Sequence, residues 1–172
     1  MENDADRRAV GGKLFGSFAE EIRYGVLSLD GTSLPNYGLV FLRLRSVAIA
    51  HRVSFLDENS YVFVNQHKLK VRDNLPAGYR SDWHDRGELA ATKMEPTVMT
   101  GNSSADWARQ LVVQGATRSN DMCVEAHIYG GFDAKAVEGV AFAHAGKSRS
   151  DRNDIALIKE LVAKVDPAGG TT

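Results

Sequence analysis

The sequence predicts a strand-rich α+β domain with helices between and after its strands. Leu39–Arg45 alternates apolar and charged side chains, which is the period-2 pattern of a half-buried strand. Met122–Gly131 alternates in a similar way and ends at a glycine pair. Near the C-terminus, apolar residues recur at helical spacing: Ile155, Ile158, Leu161, Val162 and Val165. Together these patterns indicate strands and helices in one domain.

The length and the two ends of the chain predict one domain with short tails. The chain has 172 residues, a usual size for a single domain. We expect residues 1–12 to be a flexible lead, residues 13–166 to form the domain and residues 167–172 to be a flexible tail.

Short runs rich in β-branched and aromatic residues predict the strands. In chain order, the predicted strands are Ile22–Leu29, Leu39–Arg45, His51–Phe55, Tyr61–Val64, Met122–Gly131 and Gly139–Ala143. Asp30-Gly31 and Asp57–Ser60 separate neighbouring runs as turns. Lys68–Gly87 is polar and contains a proline and two glycines, so we interpret most of it as a long loop.

Helix formers and capping residues predict the helices. The predicted segments are Lys13–Glu21 as a short helix or turn, Glu88–Met94, Ala105–Val113, one turn at Asp133–Glu138, and a last helix that begins at Ser150 or Asp151. Ser103 or Ser104 is the expected cap of the third segment. Its Trp107 and Leu111 lie one turn apart, which predicts that both face the core.

Composition and charge exclude several classes of protein. The net charge of −1 gives no overall attraction to nucleic acid or membrane. A single cysteine excludes an internal disulfide and a cysteine-rich zinc site. The polar N-terminus lacks the apolar core of a signal peptide, and no apolar run approaches the about 20 residues of a membrane span. We therefore expect a protein that is cytoplasmic as made, with secretion or delivery into a target cell without a cleaved signal left open.

Familiar catalytic signatures are absent from the sequence. It contains no Walker loop, no Gly-x-Gly-x-x-Gly, no His-Glu-x-x-His and no Gly-x-Ser-x-Gly. Its five histidines are scattered without the spacing of metal ligands, so we predict no metal site. Cys123 and His127 share one predicted strand face, but they are residues i and i+4 of the strand, roughly 13 Å apart along it, which is too far for a hydrogen bond.

The predicted strand at Met122–Gly131 carries an unusual set of side chains on one face. Val124, Ala126 and Ile128 would face the core, while a thiol, a carboxylate, an imidazole and a phenol would share the other face, at Cys123, Glu125, His127 and Tyr129. Such a face either contacts solvent or lines a cleft. A carboxylate in a cleft of low dielectric binds a sugar hydroxyl and stabilises a cation at an anomeric carbon. Glu125 is therefore the first catalytic candidate.

A carboxylate with this role needs a cation for phosphates and polar groups for a ribose. Arg23 follows the start of the first strand, and arginine binds phosphate through two parallel hydrogen bonds. Ser54 and Ser60 flank the turn after the third strand and would supply the polar groups. The competing interpretations are a surface ion pair for Arg23 and ordinary turn residues for the serines.

Arginine on one strand, serine on a later strand and glutamate on a third are the arrangement of the mono-ADP-ribosyltransferase fold of bacterial toxins. Stretches of this chain resemble, in order, an uncharacterised bacterial family with that fold: Arg23–Leu29, Tyr37-Gly38, Arg52–Phe55 with Asn59-Ser60, and Val124–Gly130. The resemblance covers about residues 13–143, and the order of the stretches carries it.

The resemblance implies a split β-sandwich of the ADP-ribosyltransferase type with flanking helices, and NAD as substrate. Glu125 would stabilise the oxocarbenium ion, Arg23 would hold the phosphates, and Ser54, with Ser60 as the alternative, would support the ribose. The residues implied in NAD binding are Arg23, Tyr24, Gly25, Ser54, Phe55, Ser60 and His127. ADP-ribose would pass to a macromolecular acceptor, protein or nucleic acid, or to water, and an inhibitor or immunity protein is an implied partner.

The chain departs from the family's usual pattern in two places. Val53-Ser54-Phe55 stands where a Ser-Thr-Ser triplet is typical. Cys123 stands two residues before the glutamate, where Glu or Gln helps to engage the acceptor. The second departure leaves the acceptor open. The basic and aromatic residues of Lys68–Gly87 would suit either an acceptor loop that touches nucleic acid or a solvated loop.

Two other functions are compatible with the same residues. One is a small nuclease that uses Glu125 and His127 as acid and base, with an arginine for the phosphate. The other is a non-catalytic binding or immunity module whose polar strand face is a contact surface. Toxicity on expression that depends on Glu125 separates the enzymes from the module, and loss of NAD or of RNA separates the two enzymes.

Overall fold

Six strands form two antiparallel sheets in the computed structural model, which describes residues 4–31, 33–38, 40–142, 152–153 and 155–160. The strands are β1 (Ile22–Val26), β2 (Val40–Leu44), β3 (Val53–Leu56), β4 (Arg80–Asp82), β5 (Glu125–Tyr129) and β6 (Val137–Phe142). The larger sheet has the order β1-β5-β3-β4, and β2 pairs with β6 in the smaller one. The protein is therefore an α+β fold in which β5 lies inside the larger sheet.

Five α-helices accompany the strands in the part of the chain described: α1 (Asp4–Phe15), α2 (Ser46–Ile49), α3 (Ser60–Gln66), α4 (Arg86–Met94) and α5 (Ser104–Leu111). Short 3₁₀ turns occupy Gly16–Glu21, Pro35–Tyr37, Ala50–Arg52, Arg118–Asn120 and Ala134–Ala136. Residues 152–153 and 155–160 are also helical. None of the helices described is both long and apolar enough to cross a bilayer.

The two faces of the larger sheet are covered by different helices. On one face, β3 and β5 pack with Leu89 of α4 and Leu111 of α5 in the first core. On the other face, Leu56 of β3 packs with Val10 of α1 and Phe63 of α3 in the second core. The sheet therefore lies between two helical layers, and the buried polar residues of β5, Glu125 and His127, must find partners within them.

Most predicted strands and helices are confirmed, with bounds that differ by a few residues. The predicted Ile22–Leu29, Leu39–Arg45 and His51–Phe55 correspond to β1, β2 and β3. The cap at Ser103 is confirmed as a capping box, in which its hydroxyl accepts from the amide of Asp106 and the Asp106 carboxylate accepts from the Ser103 amide. The predicted turn at Asp133–Glu138 is a 3₁₀ turn capped by Asp133.

Tyr61–Val64 is helical, and the strand predicted there is wrong. Asn59 caps α3, because its side chain accepts a hydrogen bond from the Tyr61 amide at 2.9 Å. Phe63 and Val64 are both 1% exposed. Packing of adjacent apolar residues into the second core outweighs the β propensity of the run.

The segment Lys68–Gly87 contains a strand where the sequence predicts a loop. Arg80–Asp82 forms β4, which pairs with β3 at the edge of the larger sheet. An edge strand is held by backbone hydrogen bonds on one side only and need not show an apolar pattern. The strand was therefore not predicted, because its residues are polar.

Trp107 does not face the core as predicted. Its side chain is 41% exposed, whereas Leu111 is 0% exposed. Helix α5 has only eight residues, and its buried side runs through Ala108 and Leu111 instead.

Residues 4–12 belong to the fold, and the flexible lead predicted over residues 1–12 is wrong for this part. They form most of α1, and Val10 is 7% exposed within the second core. The helix has few apolar residues, so its periodic signal is weak. The ends of several predictions lie outside the described residues: residues 1–3, Leu39, Ala143, Ser150, Asp151 and 161–172.

Truncation of Val10 tests whether α1 is part of the domain. Val10→Ala removes two buried carbons, worth about 1.5 kcal/mol at roughly 0.8 kcal/mol per CH₂. Thermal unfolding should then occur about 3–6 °C lower. Val47→Ala in α2 is the matched control, because Val47 is 82% exposed and should leave Tm unchanged. Equal Tm values for the two variants would contradict the placement of α1.

Candidate active site

Strand register places a group of polar side chains on one face of the larger sheet. Residues directly opposite in antiparallel strands share a face. Tyr24 and Ser54 both lie opposite His127, on either side of β5. Leu56 lies opposite both Glu125 and Arg80, which puts these two on the same side. We call this the polar face: Tyr24, Ser54, Arg80, Glu125 and His127.

The carboxylate of Glu125 is held at the start of α3. Its Oε2 accepts a short hydrogen bond from the Ser60 backbone amide. The Ser60 hydroxyl is 2.9 Å from Nε2 of His127, so one serine joins both polar residues of β5. Ser60 is 3% exposed and the Glu125 side chain is 12% exposed. The carboxylate is therefore nearly enclosed, with a small part open to solvent.

Burial changes the protonation of Glu125. It raises the pKa of the carboxyl from 4.5 to about 7, although hydrogen bonds from Ser60 and the charge of Arg7 act in the opposite direction. Near neutral pH, protonated and ionised forms of Glu125 therefore coexist. A general acid or base works best with a pKa close to the working pH, so this value suits catalysis.

Two phenols and an arginine interact electrostatically with the carboxylate. Burial and the charge of Glu125 raise the pKa of Tyr24 to about 12, and the same causes raise the pKa of Tyr37. Both phenols are thus protonated hydrogen-bond donors at neutral pH. The Tyr37 hydroxyl accepts a bond from the side-chain amide of Asn59. The guanidinium of Arg7 stands 5.1 Å from the centre of the Tyr24 ring.

His127 is buried and neutral. It is 3% exposed, and burial lowers its pKa to about 3. The rings of Phe15 and Tyr24 meet it edge-on at 4.9 and 5.4 Å between ring centroids. The 3.8 Å approach of Glu125 is to Nε2, the same nitrogen that contacts Ser60. A serine triad instead needs its acid on the other ring nitrogen, so this group lacks that geometry.

Several residues that the sequence assigned to the site lie on the opposite face. Arg23 faces Ile128, Gly25 faces Ala126, and Phe55 also faces Ala126. The Arg23 guanidinium donates to the carbonyl of Glu20 at 2.8 Å, and Phe55 is 2% exposed within the first core. The structure does not bring these residues to Glu125. Because side chains alternate along a strand, neighbours such as Arg23 and Tyr24 cannot share a face.

The structure separates the two candidate serines. Ser60 contacts both Glu125 and His127, whereas Ser54 accepts a bond from Arg80 at 2.9 Å. Ser54 is part of the polar face, but Ser60 is the serine that contacts the carboxylate.

Cys123 lies in the first core and not on the polar face. Strand β5 begins only at Glu125, so the alternation expected from Met122 onward does not extend to Cys123. The thiol is 3% exposed, and burial raises its pKa to about 12. It therefore stays protonated and cannot contact an acceptor in this conformation.

Arg7, Tyr37 and Arg80 are site residues that the sequence did not assign. Arg7 fell in the expected lead, Tyr37 in a turn and Arg80 in the expected loop. A signal for α3 was present: Asn59-Ser60 precedes an apolar run, a typical helix start. This signal predicts a helix with Ser60 in its first turn, as the structure has it.

Neither a search for metal-binding groups nor comparison with known proteins assigns a function to this site. Within the described residues, no three His, Cys, Asp or Glu side chains form a group that could hold a metal ion. No protein-family model, curated protein or solved structure matches this chain. The chemistry of the site therefore rests on its own residues.

Replacement of Glu125 by glutamine tests the raised pKa through stability. A carboxyl whose pKa is higher in the folded protein favours folding less as pH rises through that pKa. The glutamine side chain would keep an acceptor for the Ser60 amide without the charge. Glu125→Gln should raise the free energy of unfolding by about 3 kcal/mol at pH 8 and by less than about 1 kcal/mol at pH 5.

Denaturant unfolding of both proteins at each pH measures this difference. Glu138→Gln is the control, because the Glu138 side chain is 48% exposed in a surface ion pair with Arg43. Its effect should be small and equal at both pH values. A Glu125→Gln effect that is independent of pH would show that the carboxyl has an ordinary pKa.

Proposed function

We propose that this protein is a bacterial NAD-dependent mono-ADP-ribosyltransferase of the toxin or effector type, with Glu125 as its catalytic carboxylate. The observation that carries the proposal is the nearly enclosed carboxylate on β5, held by Ser60 and bordered by Tyr24, with a pKa of about 7. A carboxylate so placed suits a reaction that develops positive charge on a sugar carbon.

The proposed reaction is substitution at the anomeric carbon of the nicotinamide ribose. Glu125 accepts a hydrogen bond from the ribose 2′-hydroxyl and stabilises the cation that forms at C1′. The C1′–N bond breaks, and its electron pair leaves with nicotinamide. An acceptor group, or water, then bonds to C1′ and gives up a proton. The products are nicotinamide and either an ADP-ribosylated macromolecule or free ADP-ribose.

Some of the residues that support this chemistry differ from those that the sequence suggested. Ser60 takes the positioning role, since it contacts the carboxylate directly. Arg7 takes the phosphate-binding role first given to Arg23, because its charge acts on Glu125 while Arg23 lies on the other face. The two antiparallel sheets are compatible with a split β-sandwich of the transferase type, which remains part of the proposal.

The nuclease alternative is less well supported because it needs a second titrating group. His127 is buried, and its pKa of about 3 leaves it without a proton to donate at neutral pH. The reaction at an anomeric carbon needs only the one carboxylate and a good leaving group, which NAD provides. A non-catalytic binding module would not need the raised pKa of Glu125, so that alternative leaves this feature unexplained.

Nicotinamide release from NAD tests the proposal, with a cell lysate as the source of acceptor. Wild type should release nicotinamide, and Glu125→Gln should lower the rate by about 10²–10³, the usual cost of losing one electrostatic contact to a transition state. Glu138→Gln is the matched control and should be fully active. RNA cleavage in place of NAD loss would support the nuclease, and neither activity would support a binding module.

The pH dependence of the rate tests the state in which Glu125 acts. Stabilising a cation requires the ionised carboxylate, so the rate should rise with pH through about 7. At pH 6 the ionised fraction, and with it the rate, should be roughly one tenth of its plateau. A rate that falls over the same range would mean that the protonated form is active and would contradict the proposed role.

A further inference from the structure

An open surface groove of about 560 Å³ runs along the polar face between Arg80 and the end of β5. Its lining is Leu14, Phe15, Phe18, Ile22, Arg80 and Tyr129. Ile22 and Tyr129 lie opposite each other where β1 meets the end of β5. Glu125 lies four residues before Tyr129, about 13 Å along the strand. The groove therefore extends away from the carboxylate, and it shares Arg80 with the polar face that holds Glu125.

Exposed aromatic rings form the walls of the groove. Phe18 is 54% exposed and Tyr129 is 43% exposed. Their rings meet edge-on, with centroids 5.8 Å apart and an angle of 80° between the planes. Because the two ring planes are nearly perpendicular, a flat ligand can stack on one ring and meet the other at its edge. The Tyr129 hydroxyl is hydrogen-bonded to the Glu21 side chain. Such rings stack readily on a flat heteroaromatic base.

Arg80 brings a positive charge to the same groove without a counter-ion. No carboxylate of the described residues forms an ion pair with it, and its hydrogen bond goes to the neutral hydroxyl of Ser54. Its guanidinium lies 5.9 Å from the centre of the Phe15 ring. An arginine keeps its charge in such a setting and binds phosphate oxygens in pairs. The guanidinium of Arg80 is therefore free to bind an anionic ligand.

We propose that this groove binds a purine nucleoside monophosphate, with the base stacked on Phe18 beside Tyr129 and the phosphate on Arg80. Aromatic walls and an uncompensated arginine together select a ligand that is both planar and anionic. The volume falls in the range of about 300–1,000 Å³ found for small-molecule sites, which is ample for a nucleotide. This inference rests on the proposed function, because a purine nucleoside monophosphate is one half of NAD and Arg80 is shared with the polar face that holds Glu125.

Calorimetric titration with AMP, adenosine and ribose 5-phosphate tests the site. AMP should bind wild type at least tenfold more tightly than either adenosine, which lacks the anion, or ribose 5-phosphate, which lacks the base. Arg80→Gln should bring AMP down to the affinity of adenosine. Phe18→Ala should weaken AMP and adenosine at least fivefold, and the exposure of Phe18 makes misfolding a minor concern.

Two further variants serve as controls. Arg23→Gln removes an exposed arginine from the opposite face and should leave AMP binding unchanged. Glu125→Gln should also bind AMP normally, so a failure of the transferase proposal would leave this result intact. Arg80→Lys should recover part of the preference for AMP if charge is the cause. The absence of AMP binding to wild type, or binding that Phe18→Ala and Arg80→Gln both leave unchanged, would overturn the proposal.

Discussion

The contact between the Glu125 carboxylate and the Ser60 amide ties the centre of the sheet to the start of α3. Removing a carboxylate from water is unfavourable unless it finds donors, and here the donors only partly offset the cost, as the pKa of about 7 indicates. The interaction thus keeps Glu125 reactive at the expense of stability. That combination is frequent at functional sites and unusual in residues that serve only packing.

Strand β5 serves two purposes because its side chains alternate. Ala126 and Ile128 complete the first core, while Glu125 and His127 turn toward α1 and α3. His127 is neutral, so it fixes Ser60 without adding a charge beside the carboxylate. A rigid strand, covered on both sides, can hold a reactive group with little freedom, which is the requirement for electrostatic catalysis.

Sequence alone predicted the α+β class, most strands and the candidate carboxylate, because alternation and glycine punctuation are local signals. It did not predict α1 or β4, whose stability comes from packing and edge pairing that leave weak patterns. It also placed Arg23 and Phe55 at the site. Alternation along β1 puts Arg23 on the opposite face from Tyr24, and alternation along β3 puts Phe55 on the opposite face from Ser54. Which face of β1 or β3 meets Glu125 depends on register, and register is set by the partner strand.

The central claim is that Glu125 is an enclosed carboxylate of raised pKa that acts on NAD. The most direct measurement is a pH titration of the side-chain ¹³C signal of Glu125, assigned with Glu125→Gln and recorded with and without NAD. The account predicts a midpoint near 7 and a signal that moves when NAD is added. A midpoint near the ordinary value of 4.5, or a signal that NAD leaves unmoved, would contradict it.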